Sequence, residues 1–136
     1  MHIISNPHGK YVIDLSHLES NVFILRLVGS WNIETAEECL NECYQVVDKF
    51  FIGKTWAFLN NLTQWELCTP EVMEYFNNNS SKFSAMGCCA QAVITHSRVD
   101  QMVTGEIHNN AESQDFKTQY FQNESDAIEW LESALQ

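Results

Sequence analysis

Apolar and polar positions along the chain repeat with two periods, near two residues in some stretches and near three and a half in others. His2–Ile4 is a short apolar start, and Pro7-His8-Gly9 reads as a turn. Lys10–Leu15 (KYVIDL) holds β-branched and aromatic residues suited to a pleated surface, and predicts a strand. After the turn Glu19-Ser20-Asn21, Val22–Val28 (VFILRLV) is more continuously apolar and predicts a second strand, joined to the first as an antiparallel hairpin. Gly29-Ser30-Trp31-Asn32 then breaks the strand. A helix follows, with Ala36, Leu40, Cys43, Val47 and Phe50 on one face and Cys39 and Val46 beside them. Asn32 or Thr35 caps it, Thr35-x-x-Glu38 having the form of a capping box, and Gly53 closes it.

Thr55–Leu59 (TWAFL) is a short, nearly all-apolar run, as expected of a central strand covered on both faces. A polar loop, Asn60–Thr69, leads to a helix start at Thr69-Pro70-Glu71, where threonine caps and proline takes the first helical position. Val72, Met73, Phe76, Phe83 and Met86 form its predicted buried stripe. The tract Asn77–Ser81 has poor helix propensity and is expected to fray or bend the middle, and Gly87 ends the helix. Cys89–Thr95 predicts a buried strand and Arg98–His108 a helix weakened at Gly105. Lys117–Phe121 predicts a final strand, and a last helix capped by Asn123 or Ser125 turns Ala127, Ile128, Trp130, Leu131 and Leu135 inward. The order β-β-α-β-α-β-α-β-α implies one α/β domain over residues 1–136, with a mixed, mostly parallel sheet of about five strands and helices packed on it.

Charge narrows the partners. Eighteen acids against seven bases give a net charge of −11, which repels nucleic acid and anionic membrane surfaces and favours a basic or neutral protein surface, or a small molecule. No apolar run reaches the ~18 residues of a membrane span, and the start lacks a signal-peptide pattern, so a cytoplasmic protein without membrane insertion is expected. The five cysteines include no C-x-x-C pair and read as small buried side chains in a reducing compartment.

Candidate chemistry is sparse. Cys39 and Cys43 stand four apart on one helix face, but no second His or Cys pair completes a tetrahedral metal site, so no metal and no cofactor are expected. Cys68 precedes a helix start, where the dipole lowers a thiol pKa, and His96 at the end of the next strand is its candidate base. Against a thiol enzyme stand the lack of an acid to orient His96 and the nearness of Glu66. There is no nucleophile elbow, Walker loop or dinucleotide fingerprint. Trp31 and Trp65 each follow a predicted strand and are expected to flank one mouth. Thr69 reads first as a helix cap and second as a phosphorylation site, where negative charge suits the dipole but meets Glu66 and Glu71.

The element order, Gly29-Ser30-Trp31-Asn32 entering the first helix, the strand–loop–helix of Thr55–Phe76 and the closing Phe121-x-x-x-x-x-Ala127-Ile128-x-Trp130-Leu131 together resemble STAS-like domains. These include the bacterial anti-sigma-factor antagonists and the cytoplasmic domains of sulfate transporters. The resemblance covers nearly the whole chain and implies a non-enzymatic regulatory or protein-interaction domain. In the antagonists the loop after the third strand carries an Asp-Ser-Ser-Gly-type sequence whose serine is phosphorylated by a partner kinase. Here the matching place reads Glu66-Leu67-Cys68-Thr69-Pro70, so only Thr69 can stand in for that serine. The implied interaction residues are Trp31, Asn60, Asn61, Trp65, Cys68 and Thr69. The wider fold group includes lipid carriers of the Sec14 type, which implies as an alternative a small apolar or amphipathic ligand between the second helix and the sheet. Four tryptophans in a small domain also make a homodimer an open expectation.

Overall fold

The structure is a computed structural model and describes residues 3–5, 7–66, 69–79, 81–95 and 116–136. Six strands form one sheet in sequential order: β1 (Ile3–Ser5), β2 (Tyr11–Asp14), β3 (Val22–Gly29), β4 (Trp56–Trp65), β5 (Cys88–Ile94) and β6 (Lys117–Phe121). β2 runs antiparallel to both of its neighbours, β1 and β3, and β3 through β6 are parallel. The helices are α1 (Ile33–Phe50), α2 (Pro70–Asn79), the short α3 (Lys82–Ala85) and α4 (Glu124–Ala134). A mixed, mostly parallel α/β sheet was expected, with five strands. The sixth is Ile3–Ser5, whose residues pair with Val12–Asp14 and extend the antiparallel edge.

Alternation along the strands sorts the core into two halves. Tyr11, Ile13, Phe23, Leu25, Leu27, Trp56 and Phe58 face α1, where Ala36, Cys39, Cys43, Val46 and Val47 meet them. Val22, Ile24, Ala57, Leu59, Ala90, Ala92 and Ile94 face the other way and are covered by Ala127, Ile128 and Leu131 of α4. Small alanines on that side let α4 lie close to the sheet. Large aromatics fill the α1 side: the Trp56 ring lies 5.5 Å from Phe23, 5.6 Å from Phe51 and 5.4 Å from Phe83. Trp56 Nε1 also donates to Met86 O at 3.0 Å, tying the sheet to the turn after α3. Gly87 in that turn has φ +102° and would place a Cβ 2.6 Å from Lys54 O, so only glycine fits there.

Two boundaries differ from the sequence reading. Asn60–Trp65 is not a loop: β4 runs through it, paired with β3 as far as Trp65 opposite Gly29. Between Arg26 and Val28 the register changes, with Asn61 and Gln64 opposite them, so β4 accommodates one extra residue as a bulge. Asn61 Oδ1 accepts from Thr63 N at 3.0 Å and Thr63 Oγ1 at 2.8 Å, which satisfies backbone that the bulge leaves without a ladder partner. A polar side chain here extends the strand instead of ending it. The single helix expected over Thr69–Gly87 is two, α2 and α3, separated within the Asn/Ser tract. The helix expected over Arg98–His108 lies outside the described residues.

The caps are local and legible. Asn32, not Thr35, caps α1, its Oδ1 accepting from Thr35 N at 2.9 Å. Asn123 caps α4 by accepting from Asp126 N at 2.8 Å. No helix among the described residues is long and apolar enough to cross a membrane.

Candidate functional site

The parallel strands β3 and β4 end together at Gly29 and Trp65, while β5 ends at Ile94 opposite Asn61; this edge of the sheet lies beside the starts of α1 and α2, the usual place for binding chemistry in such sheets. Trp31 and Trp65 do meet there, edge to face with ring centroids 5.8 Å apart. Phe76 of α2 completes the group, 6.2 Å from Trp31 and 6.0 Å from Trp65, and Tyr75 lies 6.2 Å from Phe76. The two tryptophans differ in kind. Trp31 is 2% exposed, and its Nε1 donates to Lys10 O at 3.2 Å and Val28 O at 3.1 Å, so it anchors the entry to α1 from inside. Trp65 is half-buried, as are Tyr75 and Phe76, and these three carry the aromatic group toward the surface.

Thr69 is exposed at the start of α2, and its hydroxyl accepts from Val72 N at 3.3 Å, the geometry of a cap. Val72 is the one fully buried residue of α2, with Glu71, Glu74 and Asn78 pointing outward. Exposed Glu66, and Glu34 and Glu37 on the first turns of α1, extend the acidic surface around the aromatic group. Where α2 packs against α1, burial first, and the charge of Glu37 second, push the Tyr75 hydroxyl up.

Asn60 and Asn61 point to opposite sides of the sheet and do not act together. Asn60 faces α1 and α2, whereas Asn61 Nδ2 donates to Glu124 Oε2 at 2.8 Å on the α4 side. There Glu124 accepts twice from Arg26, at Nε and Nη2, both at 2.9 Å, and Arg26 Nη1 donates to Asp14 Oδ2 at 3.0 Å. The paired geometry, chiefly the Arg26 hydrogen bonds, holds the Glu124 carboxyl below its usual range. At Asp14 burial pushes upward, but hydrogen bonds from Ser16 and Arg26 outweigh it and the net shift is downward. This cluster was missed in the sequence, although a lone arginine inside the apolar run VFILRLV signals a required acidic partner.

Four buried side-chain polar atoms among the described residues have no hydrogen-bond partner: Tyr44 Oη, Asn60 Oδ1, Trp65 Nε1 and Thr95 Oγ1. Thr95, a polar residue closing the run CAQAVI, was also not singled out from sequence. Cys68 and His96, the candidate thiol and base, lie outside the described residues. Of the other cysteines, Cys39 and Cys88 are held protonated by burial, Cys39 with a hydrogen bond to Cys43 adding to the effect. Among the described residues no group of three or more His, Cys, Asp and Glu side chains is placed to hold a metal ion.

The architecture is similar to the crystal structure of an uncharacterized DUF3478-family protein with a SpoIIAA-like fold from Shewanella loihica PV-4, with a TM-score of 0.60. The match spans 81% of this chain and 83% of that one at 18% identity, a level that establishes the STAS-like fold and nothing finer. Comparison with curated protein sequences found no match. Residues 18–135 match the model of a domain of unknown function, DUF7793, and the chain belongs to that family.

Proposed function

We propose that this chain is a non-enzymatic regulatory domain of the cytoplasm that binds a protein partner through α2 and the end of β4. The observation that carries the reading is the partly buried aromatic group Trp65, Tyr75 and Phe76, set among the exposed carboxylates Glu66, Glu71 and Glu74. Large aromatics at the centre of a patch with a charged rim are the composition of an interaction hot spot. The rim is acidic, so the partner presents a basic or neutral surface. The STAS-like fold supports the reading, because the helix after this strand is the switch element in the antagonists. Thr69 holds the corresponding place, with its hydroxyl engaged in the cap. A phosphate there would have to break that bond, so binding in the unmodified state is the simpler regulatory ground state.

Reversing the rim charge tests this without touching the core. Tagged wild-type chain and a Glu71→Lys/Glu74→Lys variant are used to capture partners from the source cells. The variant is expected to recover the wild-type partner at a level reduced at least about tenfold, because like charges across the interface are costly. Equal recovery by both, or capture of only a second copy of this chain, would overturn the assignment.

A further inference from the structure

In a regular strand, residues an even number apart share a face of the sheet. On β4 that rule holds from Trp56 to Leu62. Trp56, Phe58 and Leu62 pack on the α1 side, and Ala57 and Leu59 on the α4 side. Continued without a break, the alternation would send Trp65 to the α4 side together with Asn61. Trp65 instead packs on the α1 side, 5.8 Å from Trp31 and 6.0 Å from Phe76. The bulge accounts for the reversal. Arg26 lies opposite Asn61 but Val28 lies opposite Gln64, so Leu62 and Thr63 together face Leu27, and the later residues of β4 change sides.

One side chain holds that extra residue in place. Asn61 Oδ1 accepts from Thr63 N at 3.0 Å and from Thr63 Oγ1 at 2.8 Å, while Asn61 Nδ2 donates to Glu124 Oε2 at 2.8 Å. A carboxylate only accepts, so Glu124 fixes which end of the amide turns toward it and leaves the oxygen for Thr63. Glu124 is held in turn by Arg26, which also meets Asp14. We infer that Asn61 is a positioning residue whose hold on the bulge decides the face on which Trp65 appears, so that the docking surface is set from the opposite side of the sheet. The inference rests on the docking role given above to Trp65 and α2. Two registers are open to the end of β4. The bulged one seats Trp65 between Trp31 and Phe76, and the regular one turns Trp65 away and brings Gln64 to the aromatic group. Whatever draws Glu124 away from Asn61 favours the second register, and so weakens docking without touching the partner.

The position of Trp65 is read without a partner, from NMR cross-relaxation between its indole and the Phe76 ring. The Trp65 indole is the signal missing in Trp65→Phe. Asn61→Val removes the acceptor, and is expected to abolish these cross-peaks and to lower partner capture at least about tenfold. Asn61→Ser keeps an oxygen within reach of the residue 63 N–H, and is expected to retain them. Glu124→Ala, across the sheet from the docking face, is expected to weaken them at least about twofold. Deletion of Thr63 separates register from general loosening. Without the extra residue, Gly29 and Trp65 stay opposite in a regular ladder with Trp65 on the α1 side, whatever stands at position 61. In that background Asn61→Val is expected to keep the cross-peaks, and capture to stay within about threefold. Full cross-peaks in Asn61→Val with Thr63 present would overturn the inference, as would their loss, through misfolding or otherwise, in both backgrounds. Cross-peaks that follow this pattern while capture stays unchanged throughout would uphold the positioning role and remove the docking face instead.

Discussion

Trp56→Ala is expected to destabilise the chain by about 3–5 kcal/mol, the range for emptying a large aromatic from a packed core. Trp56 is fully buried, stacks within 5.6 Å of Phe23 and Phe51, and meets Phe83 edge-on at 5.4 Å. No small side chain can refill that space, because the surrounding rings are held by β3, by the end of α1 and by α3. The substitution also strands Met86 O, which accepts the indole N–H. Since domains are stable by only about 5–15 kcal/mol, the variant should sit near its unfolding threshold. Urea denaturation followed by circular dichroism reads the shift. Trp56→Phe, which keeps a ring but drops the donor, should lose about 1–2 kcal/mol. Similar losses in the two variants would mean that the hydrogen bond, and not the ring stack, dominates.

The second large effect concerns the opposite side of the sheet. Arg26→Met keeps an apolar stem but leaves Asp14 and Glu124 facing each other without their shared cation. These side chains are partly solvated, Arg26 being 33% exposed and Glu124 32%, so a fully buried ion pair is the wrong reference. A loss of about 1–2 kcal/mol at neutral pH is expected after that screening. The pH dependence follows from the carboxylates. Both have folded-state pKa values below their ordinary 3.8 and 4.5, so their contribution is fully present above those values. It is lost as pH falls through the lowered folded values. The stability gap between wild type and Arg26→Met should therefore be constant down to about pH 5 and shrink steadily below about pH 4. A gap that persisted unchanged at about pH 2 would assign the effect to packing of the arginine stem instead.

The sequence carried the fold further than the site. Periodicity located α1 and α4 and their inward faces, and the caps at Asn32, Thr69 and Asn123 were readable because capping is a local interaction. The extension of β4 through Asn60–Trp65 was not readable. Its polar residues look like a loop until Asn61 is seen to hold the bulge at Thr63 and to meet Glu124, which is 63 residues away in sequence. The convergence of Trp31 and Trp65 was legible, since parallel strands bring their ends together. Their different roles were not, because burial of Trp31 depends on carbonyls of Lys10 and Val28 and on a helix that arrives later in the chain. Unpartnered atoms such as Thr95 Oγ1 are a property of assembled surroundings, and no local pattern announces them.

The proposed docking face is tested most directly by placing the photocrosslinking residue p-benzoylphenylalanine at single exposed positions and irradiating intact source cells. Glu71 and Glu74 lie on the outer side of α2, and Glu129 lies on the outer side of α4, across the sheet. The account predicts one discrete adduct with a second protein of basic or neutral surface from the Glu71 and Glu74 positions, and none from Glu129. Adducts from Glu129 alone, or none from any of the three, would contradict it.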